Sequence, residues 1–248
     1  MHRLNRLSSL KFQLSRVLPL YSPNSFSFST AATRLQDFKH QLPIRGTDEK
    51  GQEVILSHVK SLSKEPLINM TIGRFFDAQV ARYGDQSVLR VIHQNIDWSW
   101  KQLQREIDRL ALGLLNLGLK PGDRVGVWLP NTYEWVMCQI ATAKAGFVLV
   151  NINPAYRSYE LQYALNLVDA KALIFTPSFK SSNYVQILQQ LIPSLVSSPD
   201  AWSCDACPAL RHLINIGPES VPGVKRFDDI LAPEVASNPN NPPLHLKS

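Results

Sequence analysis

From Ser99 onwards the hydrophobic positions change period repeatedly, and each change marks an element. Leu103, Ile107, Leu110, Leu114 and Leu117 recur at steps of four, three, four and three, while Lys101, Gln104, Arg105, Asp108 and Arg109 lie off that stripe. This is the pattern of an amphipathic helix lying on a sheet. A coiled coil would need the stripe for at least three heptads, and it lasts about two before Gly118. Ser99 and Gln102 form an S-x-x-Q capping box at the helix start. Lys120-Pro121-Gly122-Asp123 then reads as a turn, with Pro fixing φ at the second position. Arg124 to Leu129 alternates as a strand, and Pro130, which has no N–H to give a ladder, stops it. Asn131 stands as a helix N-cap with Glu134 three residues on, and the helix runs to about Ala145, with Gly146 in the C′ place. Phe147 to Val150 is a continuous apolar run, the mark of a strand buried on both faces of a parallel sheet. The stretch from Gly118 to Leu165 is therefore organised around a βαβ unit.

The flanks extend the same alternation. Thr71 caps a helix that runs through Arg82, and Ser87 to Ile92 and Ile96 to Trp98 read as two short strands around Gln94-Asn95. After the βαβ unit, Asn153-Pro154-Ala155-Tyr156 is a turn, and Ser158 caps a helix with Glu160 in its first turn. Lys171 to Phe175 predicts a buried strand, Ser181 to Leu191 a helix, Pro193 to Pro208 a loop and Leu210 to Ile216 a further strand. Val224 to Leu231 is a short element of undecided type. Residues 37–70 read as an extended lead-in and 233–248 as a Pro-rich tail or linker. The expected fold class is α/β, a mostly parallel sheet flanked by helices over residues 71–232.

Charge and composition narrow the function classes. The 248 residues carry a formal net charge of +6. Residues 1–46 hold seven Lys or Arg and one Asp, so the excess is confined there and the other 202 residues balance at 19 of each sign. A basic nucleic-acid face is not supported by that balance. The first 36 residues contain no acid, five basic residues and seven serines, and Leu7, Leu10, Leu14 and Val17 share a helical face. That is the composition of an organellar transit peptide. No run approaches the roughly 20 apolar residues of a membrane-spanning helix.

Sharp chemical motifs are missing. The chain has no G-x-G-x-x-G, G-x-x-x-x-G-K-[ST], G-x-S-x-G or H-E-x-x-H, and its six histidines show no ligand spacing. Cys138 falls inside the central helix as a small buried hydrophobe. Cys204-Asp205-Ala206-Cys207 is a single C-x-x-C in a loop, where neither a redox helix start nor four zinc ligands is in view. Asp123, Arg124, Asn131 and Tyr156 are expected in turn, strand-edge and capping roles. No residue is assigned as catalytic, cofactor-binding or metal-binding.

The ensemble of motifs resembles a known family. Ser99, Leu117 to Val125 with its KPGDRV, Leu129-Pro130-Asn131, Ala145-Gly146, Asn153 to Tyr156 and Glu160-Leu161 follow one another as in the N-terminal region of the acyl-CoA synthetases. These belong to the adenylate-forming, AMP-dependent synthetase and ligase superfamily, and the likeness is strongest to its mitochondrial medium-chain members. The resemblance covers roughly residues 66–230. It implies a two-step ligase: a fatty acid attacks the α-phosphate of ATP, and CoA then displaces AMP from the acyl-adenylate. ATP, Mg²⁺ and CoA are implied for the complete enzyme, in the mitochondrial matrix. The family's phosphate loop, which reads like TSGTTG-x-PK, is not in this sequence, so the 248 residues are expected to be an inactive N-terminal portion, a truncated product or incomplete gene model. Two other readings stand beside it: a non-catalytic short isoform pairing with itself or a full-length ligase, and a complete flavodoxin-like nucleotide-binding protein.

Overall fold

The computed structural model describes residues 45–55 and 67–233, so the leader and tail expected at the two ends lie outside the described residues. The chain divides into two units at Leu67. In the first, β1 (Arg45–Thr47) and β2 (Glu53–Ile55) pair antiparallel. Asp48 makes that turn, its carboxylate accepting the N–H groups of Lys50 at 2.9 Å and Gln52 at 2.8 Å. Part of the expected extended lead-in is thus a hairpin.

The second unit opens with α1 (Ile72–Tyr83), capped by the Thr71 hydroxyl, which accepts from Arg74 N–H at 3.3 Å. β3 (Ser87–Val91) and β4 (Ile96–Ser99) form an antiparallel hairpin around a 3-10 turn at Ile92–Gln94, with Asn95 in the left-handed region at φ 55°. The stripe helix is α2 (Trp100–Asn116), and its capping box closes as expected. The Ser99 hydroxyl accepts Gln102 N–H at 3.3 Å, and the Gln102 side-chain Oε1 accepts Ser99 N–H at 2.8 Å.

β5 (Arg124–Trp128), α3 (Tyr133–Ala145) and β6 (Val148–Asn151) make the βαβ unit. α4 (Ser158–Leu167), β7 (Ala172–Phe175), the small hairpin β8 (Ser178–Phe179) and β9 (Ser182–Asn183), and α5 (Tyr184–Leu191) follow. α6 (Ser194–Ser197) lies in the segment expected to be all loop, and β10 (His212–Asn215) follows it. The undecided element resolves into β11 (Lys225–Arg226) and α7 (Phe227–Ile230). Five strands join in one sheet in the order β11-β10-β7-β5-β6, every pairing parallel. Counted from β5, that is the flavodoxin-like order 2-1-3-4-5.

Strand alternation divides the interior in two. Val125, Val127, Ala172, Ile174 and Ile214 face a layer built from α1, α2, α3 and α7, where Ile107, Leu110 and Leu114 are wholly buried. Trp128, Leu173, Phe175 and Leu213 face the opposite layer of α4, α5 and α6. Burying each such side chain stabilises the fold by about 1.5–3 kcal/mol. β7 sits in the middle of the sheet and is buried at every position. β6, expected to be buried on both faces, is instead the edge strand, and Val148 is 49% exposed. Its apolar run is the same kind of sequence as β7; the strand order, not the composition, decides its exposure.

Two expected caps are displaced. Asn131 is exposed, and Thr132 takes the N-cap position of α3 without a capping bond from its side chain. Arg157, not Ser158, precedes α4, and its N–H is held by the Glu160 carboxylate at 3.1 Å.

Candidate functional site

In an open parallel sheet ligands bind beyond the carboxyl ends of the strands, where the strand order reverses. Here that point lies between β5 and β7, because the chain leaves β5 for β6 on one side and returns to β7 on the other. The loops meeting there are Leu129–Thr132 after β5 and Thr176–Pro177 after β7. The first turn of α3 is the natural place for a bound anion, since its N–H groups carry the positive end of the helix dipole.

That place is filled by the protein's own groups. The Gln94 side chain, reaching over from the 3-10 turn, accepts Tyr133 N–H at 2.8 Å and donates to the Glu134 carboxylate at 2.9 Å. Glu134 is buried, so the helix start presents negative charge where a phosphate would have to sit. Burial, then the Glu134 charge, pushes the Tyr133 phenol well above its ordinary range. The ring of Trp98 from β4 packs edge-on to Tyr133, with centroids 5.0 Å apart. The arrangement holds the β3–β4 hairpin to the end of β5 and disfavours an anion, which removes the physical basis of the flavodoxin-like reading.

The neighbouring loop after β6 is fixed just as firmly. Trp128 and Tyr184 stack with centroids 3.6 Å apart and planes 3° from parallel. Trp128 Nε1 donates to the Asn153 carbonyl at 3.0 Å, and the Tyr184 hydroxyl donates to the Pro154 carbonyl. Burial pushes the Tyr184 phenol up to about 12, which keeps it a donor. Asn153 Oδ1 accepts Ala155 N–H at 2.9 Å, so Asn153 to Tyr156 forms the expected turn, closed by Tyr156 N–H on the Asn153 carbonyl at 3.0 Å.

The other singled-out residues also serve the frame. The Asp123 carboxylate accepts Lys120 N–H at 2.8 Å within the turn. Arg124 donates to the Val168 carbonyl and, at 3.2 Å, to that of Asp169, tying the start of β5 to the turn before β7. Gln94, Trp128 and Tyr184 were not singled out by sequence pattern; each acts across at least 25 residues, beyond any local spacing.

Two further places hold polar groups. A cavity of about 460 Å³ lies between the C-terminal end of α2 and the β11–α7 segment, lined among others by Gly113, Asn116, Lys225, Arg226 and Asp229. Its lining offers two cations and one carboxylate but no nucleophile paired with a base. On the helical layer, Lys144 Nζ meets Asp77 at 2.7 Å and Asp108 at 2.6 Å. Among the described residues no three His, Cys, Asp or Glu side chains converge in a way that could hold a metal ion. His212 is pulled below its ordinary range by burial and then by Lys225 and Arg211. No helix among the described residues is long and apolar enough to cross a membrane.

These observations define the class of fold, a parallel α/β sheet clad by helices on both faces, with loop residues given over to fixing the strand ends. Residues 76–225 match the model of the AMP-binding enzyme family, and the chain belongs to that family. The mitochondrial medium-chain acyl-CoA ligase ACSF2 of Mus musculus is 41% identical over 178 residues, which are 71% of this chain and 29% of that protein. The Homo sapiens protein of the same name is 38% identical over 178 residues, with the same two shares. A putative acyl-CoA synthetase of Bacillus subtilis, YngI, is 37% identical over 164 residues, 66% of this chain and 30% of that one. The chain thus spans less than a third of the length of these relatives. Among solved structures, acetoacetyl-CoA synthetase from Streptomyces lividans superposes with a TM-score of 0.56 at 20% identity, covering 71% of this chain and 26% of that one. The anthranilate CoA ligase AuaEII, in complex with anthranoyl-AMP, gives a TM-score of 0.54 at 20% identity, covering 65% and 28%.

Proposed function

We propose that this chain supplies the framework of the first subdomain of an ATP-dependent ligase that joins a medium-chain fatty acid to CoA through an acyl-adenylate. The observation that carries this reading is the family match over residues 76–225. The chemistry would be that of the family: carboxylate attack on the α-phosphate of ATP with loss of pyrophosphate, then displacement of AMP by the CoA thiol. Such a reaction depends on electrostatic stabilisation of the phosphorus centre.

The role of these residues is positional. The α3 N-terminus is occupied by Gln94 and Glu134, and the carboxylates Asp77 and Asp108 are already engaged by Lys144, so none of these groups fits Mg²⁺ or a phosphate. No chemical step is routed through them. By itself the chain is therefore expected to give no exchange of pyrophosphate into ATP with octanoate or any other fatty acid; exchange above background would sink the scaffold assignment. The family role is tested separately by replacing the corresponding segment of the mouse ligase with residues 71–232. A folded chimera should keep acyl-CoA formation, and a folded but inactive one would count against the framework being equivalent.

For residues 1–36 we propose import into the mitochondrial matrix, supported by their basic, acid-free composition and by the mitochondrial relatives. A reporter fused after residue 36 that stayed in the cytosol would overturn this. A second reading, a non-catalytic module pairing with itself or a full-length ligase, is favoured by the open β6 edge and by Tyr159, Tyr163 and Leu167, exposed one turn apart along α4. Sedimentation showing only monomer at every concentration, alone and mixed with the mouse ligase, would exclude it.

A further inference from the structure

The C-x-x-C segment lies in the loop between α6 and β10, and the fold gives it a defined shape. Cys207 N–H donates to the Cys204 carbonyl at 3.1 Å, which closes Cys204-Asp205-Ala206-Cys207 into a β-turn. The same N–H lies 3.1 Å from Cys204 Sγ. A β-turn keeps its first and fourth Cα atoms within about 7 Å, and a disulfide spans about 4.4–6.8 Å between Cα atoms. The backbone is therefore already in the range a bridge requires. The Cys204 side chain folds back over the turn onto residue 207, and its thiol also reaches the Leu191 carbonyl at 3.9 Å. Both cysteines are free thiols at 6% and 1% exposure, while Asp205 and Pro208 beside them are exposed, so the turn is at the surface with its sulfurs facing in.

The two sulfurs are not equivalent. Cys204 is the less covered, and hydrogen bonding from the Cys207 side chain and N–H favours its thiolate and draws its titration down. The Cys207 thiol is pushed up by its interaction with Cys204 and by burial. Cys138 lies deep in α3, and burial pushes its thiol well above the ordinary range.

We propose that Cys204 and Cys207 are an oxidisable dithiol site that closes reversibly to an intra-turn disulfide at the expense of a low-molecular-weight disulfide, with Cys204 attacking and Cys207 resolving. Cys204 thiolate attacks one sulfur of the small disulfide, expelling one thiolate and leaving a mixed disulfide on Cys204. Cys207 then loses its proton and attacks Cys204 Sγ, expelling the second thiolate. The two protons given up by the protein neutralise the two leaving thiolates. One protein disulfide is formed, and one small disulfide is reduced to two thiols.

The test uses the full 248-residue chain incubated with oxidised glutathione, then alkylated in denaturant and mapped by mass spectrometry. The peptide containing Cys204 and Cys207 should lose two hydrogens and escape alkylation, while Cys138 is alkylated as before; dithiothreitol should reverse the loss. Cys207→Ser should accumulate glutathione on Cys204, and Cys204→Ser should leave Cys207 unmodified. The proposal is overturned if the wild-type turn stays fully alkylatable at a glutathione ratio that closes a β-turn C-x-x-C peptide. A mixed disulfide that persists on wild-type Cys204, or glutathione trapped on Cys207 in Cys204→Ser, would overturn the assigned order. The wild-type measurement stands even if either serine variant fails to fold.

Discussion

At Gly113 helix α2 carries no side chain where α7 passes over it, and a Cβ placed there would stand 1.9 Å from the Ile230 carbonyl oxygen. The contact is backbone, so it cannot be relieved by a rotamer change. Just beyond it, Arg109 Nε donates to the Ala232 carbonyl at 2.9 Å, and Ala232 N–H donates to the Arg109 carbonyl at 3.1 Å. Gly113→Ala gains about 1 kcal/mol of helix propensity but meets an overpacking penalty of about 1–3 kcal/mol. The expected outcome is a net loss of stability in urea unfolding, with faster amide exchange at Ala232; a more stable protein would show that α7 does not dock on α2. A second residue effect concerns pH. The Ser87 hydroxyl and the Arg90 guanidinium hold the Asp97 carboxyl below its ordinary range on the β3–β4 hairpin. A depressed carboxyl stabilises the fold above its unfolded titration, near pH 3.9, and that contribution is lost as pH falls through the folded value. Asp97→Asn should therefore weaken hairpin amide protection at neutral pH and leave it unchanged at the acid end. Equal protection in both proteins at neutral pH would remove the effect.

At the scale of an element, α3 shows where local pattern reaches its limit. Its end was legible, because Gly146 takes the left-handed C-cap position at φ 76° that sequence gave it. Its beginning was not. Asn131 is the right residue type for a cap, but Pro130 and the path out of β5 leave it exposed, and the cap comes from Gln94, 39 residues away in sequence. Gln94→Ala would leave Tyr133 N–H and the buried Glu134 carboxylate unpartnered, at a cost of about 1–3 kcal/mol. Amide exchange in the first turn of α3 should quicken while its last turn is unchanged, and uniform protection along α3 would show that Gln94 is not the cap. By contrast α2 carried its own cap, Ser99 with Gln102, three residues apart, and both its start and its buried stripe were readable.

At the scale of the whole molecule, three helices are joined by one buried ion cluster. Lys144 of α3, its side chain 1% exposed, meets Asp77 of α1 and Asp108 of α2, and Gln104 donates to the same Asp77 oxygen at 2.8 Å. Burial raises the Asp108 carboxyl despite the Lys144 charge, so its ionisation opposes folding. The stability that the protonated carboxyl contributes is complete below its ordinary titration and is lost as pH rises through the folded value. Two variants should therefore differ in neutral urea titrations. Lys144→Met, which takes the cation away from both carboxylates, should lose on the order of 3 kcal/mol, whereas Asp108→Asn should lose far less. The reverse order would show that Asp108, not Lys144, holds the cluster together. The sequence by itself determined the main strands and helices from α1 to β7, the capping box of α2, the turns at Gly122 and Asn153, and the family, because each rests on neighbours a few residues apart. Tertiary structure alone decided that β6 lies at the sheet edge while β7 is buried, and that Gln94 caps α3. It also turned a C-x-x-C without local context into a closed turn with both cysteines buried. Strand order, remote caps and cysteine burial depend on residues that meet only when the chain has folded, and no spacing along the chain records them.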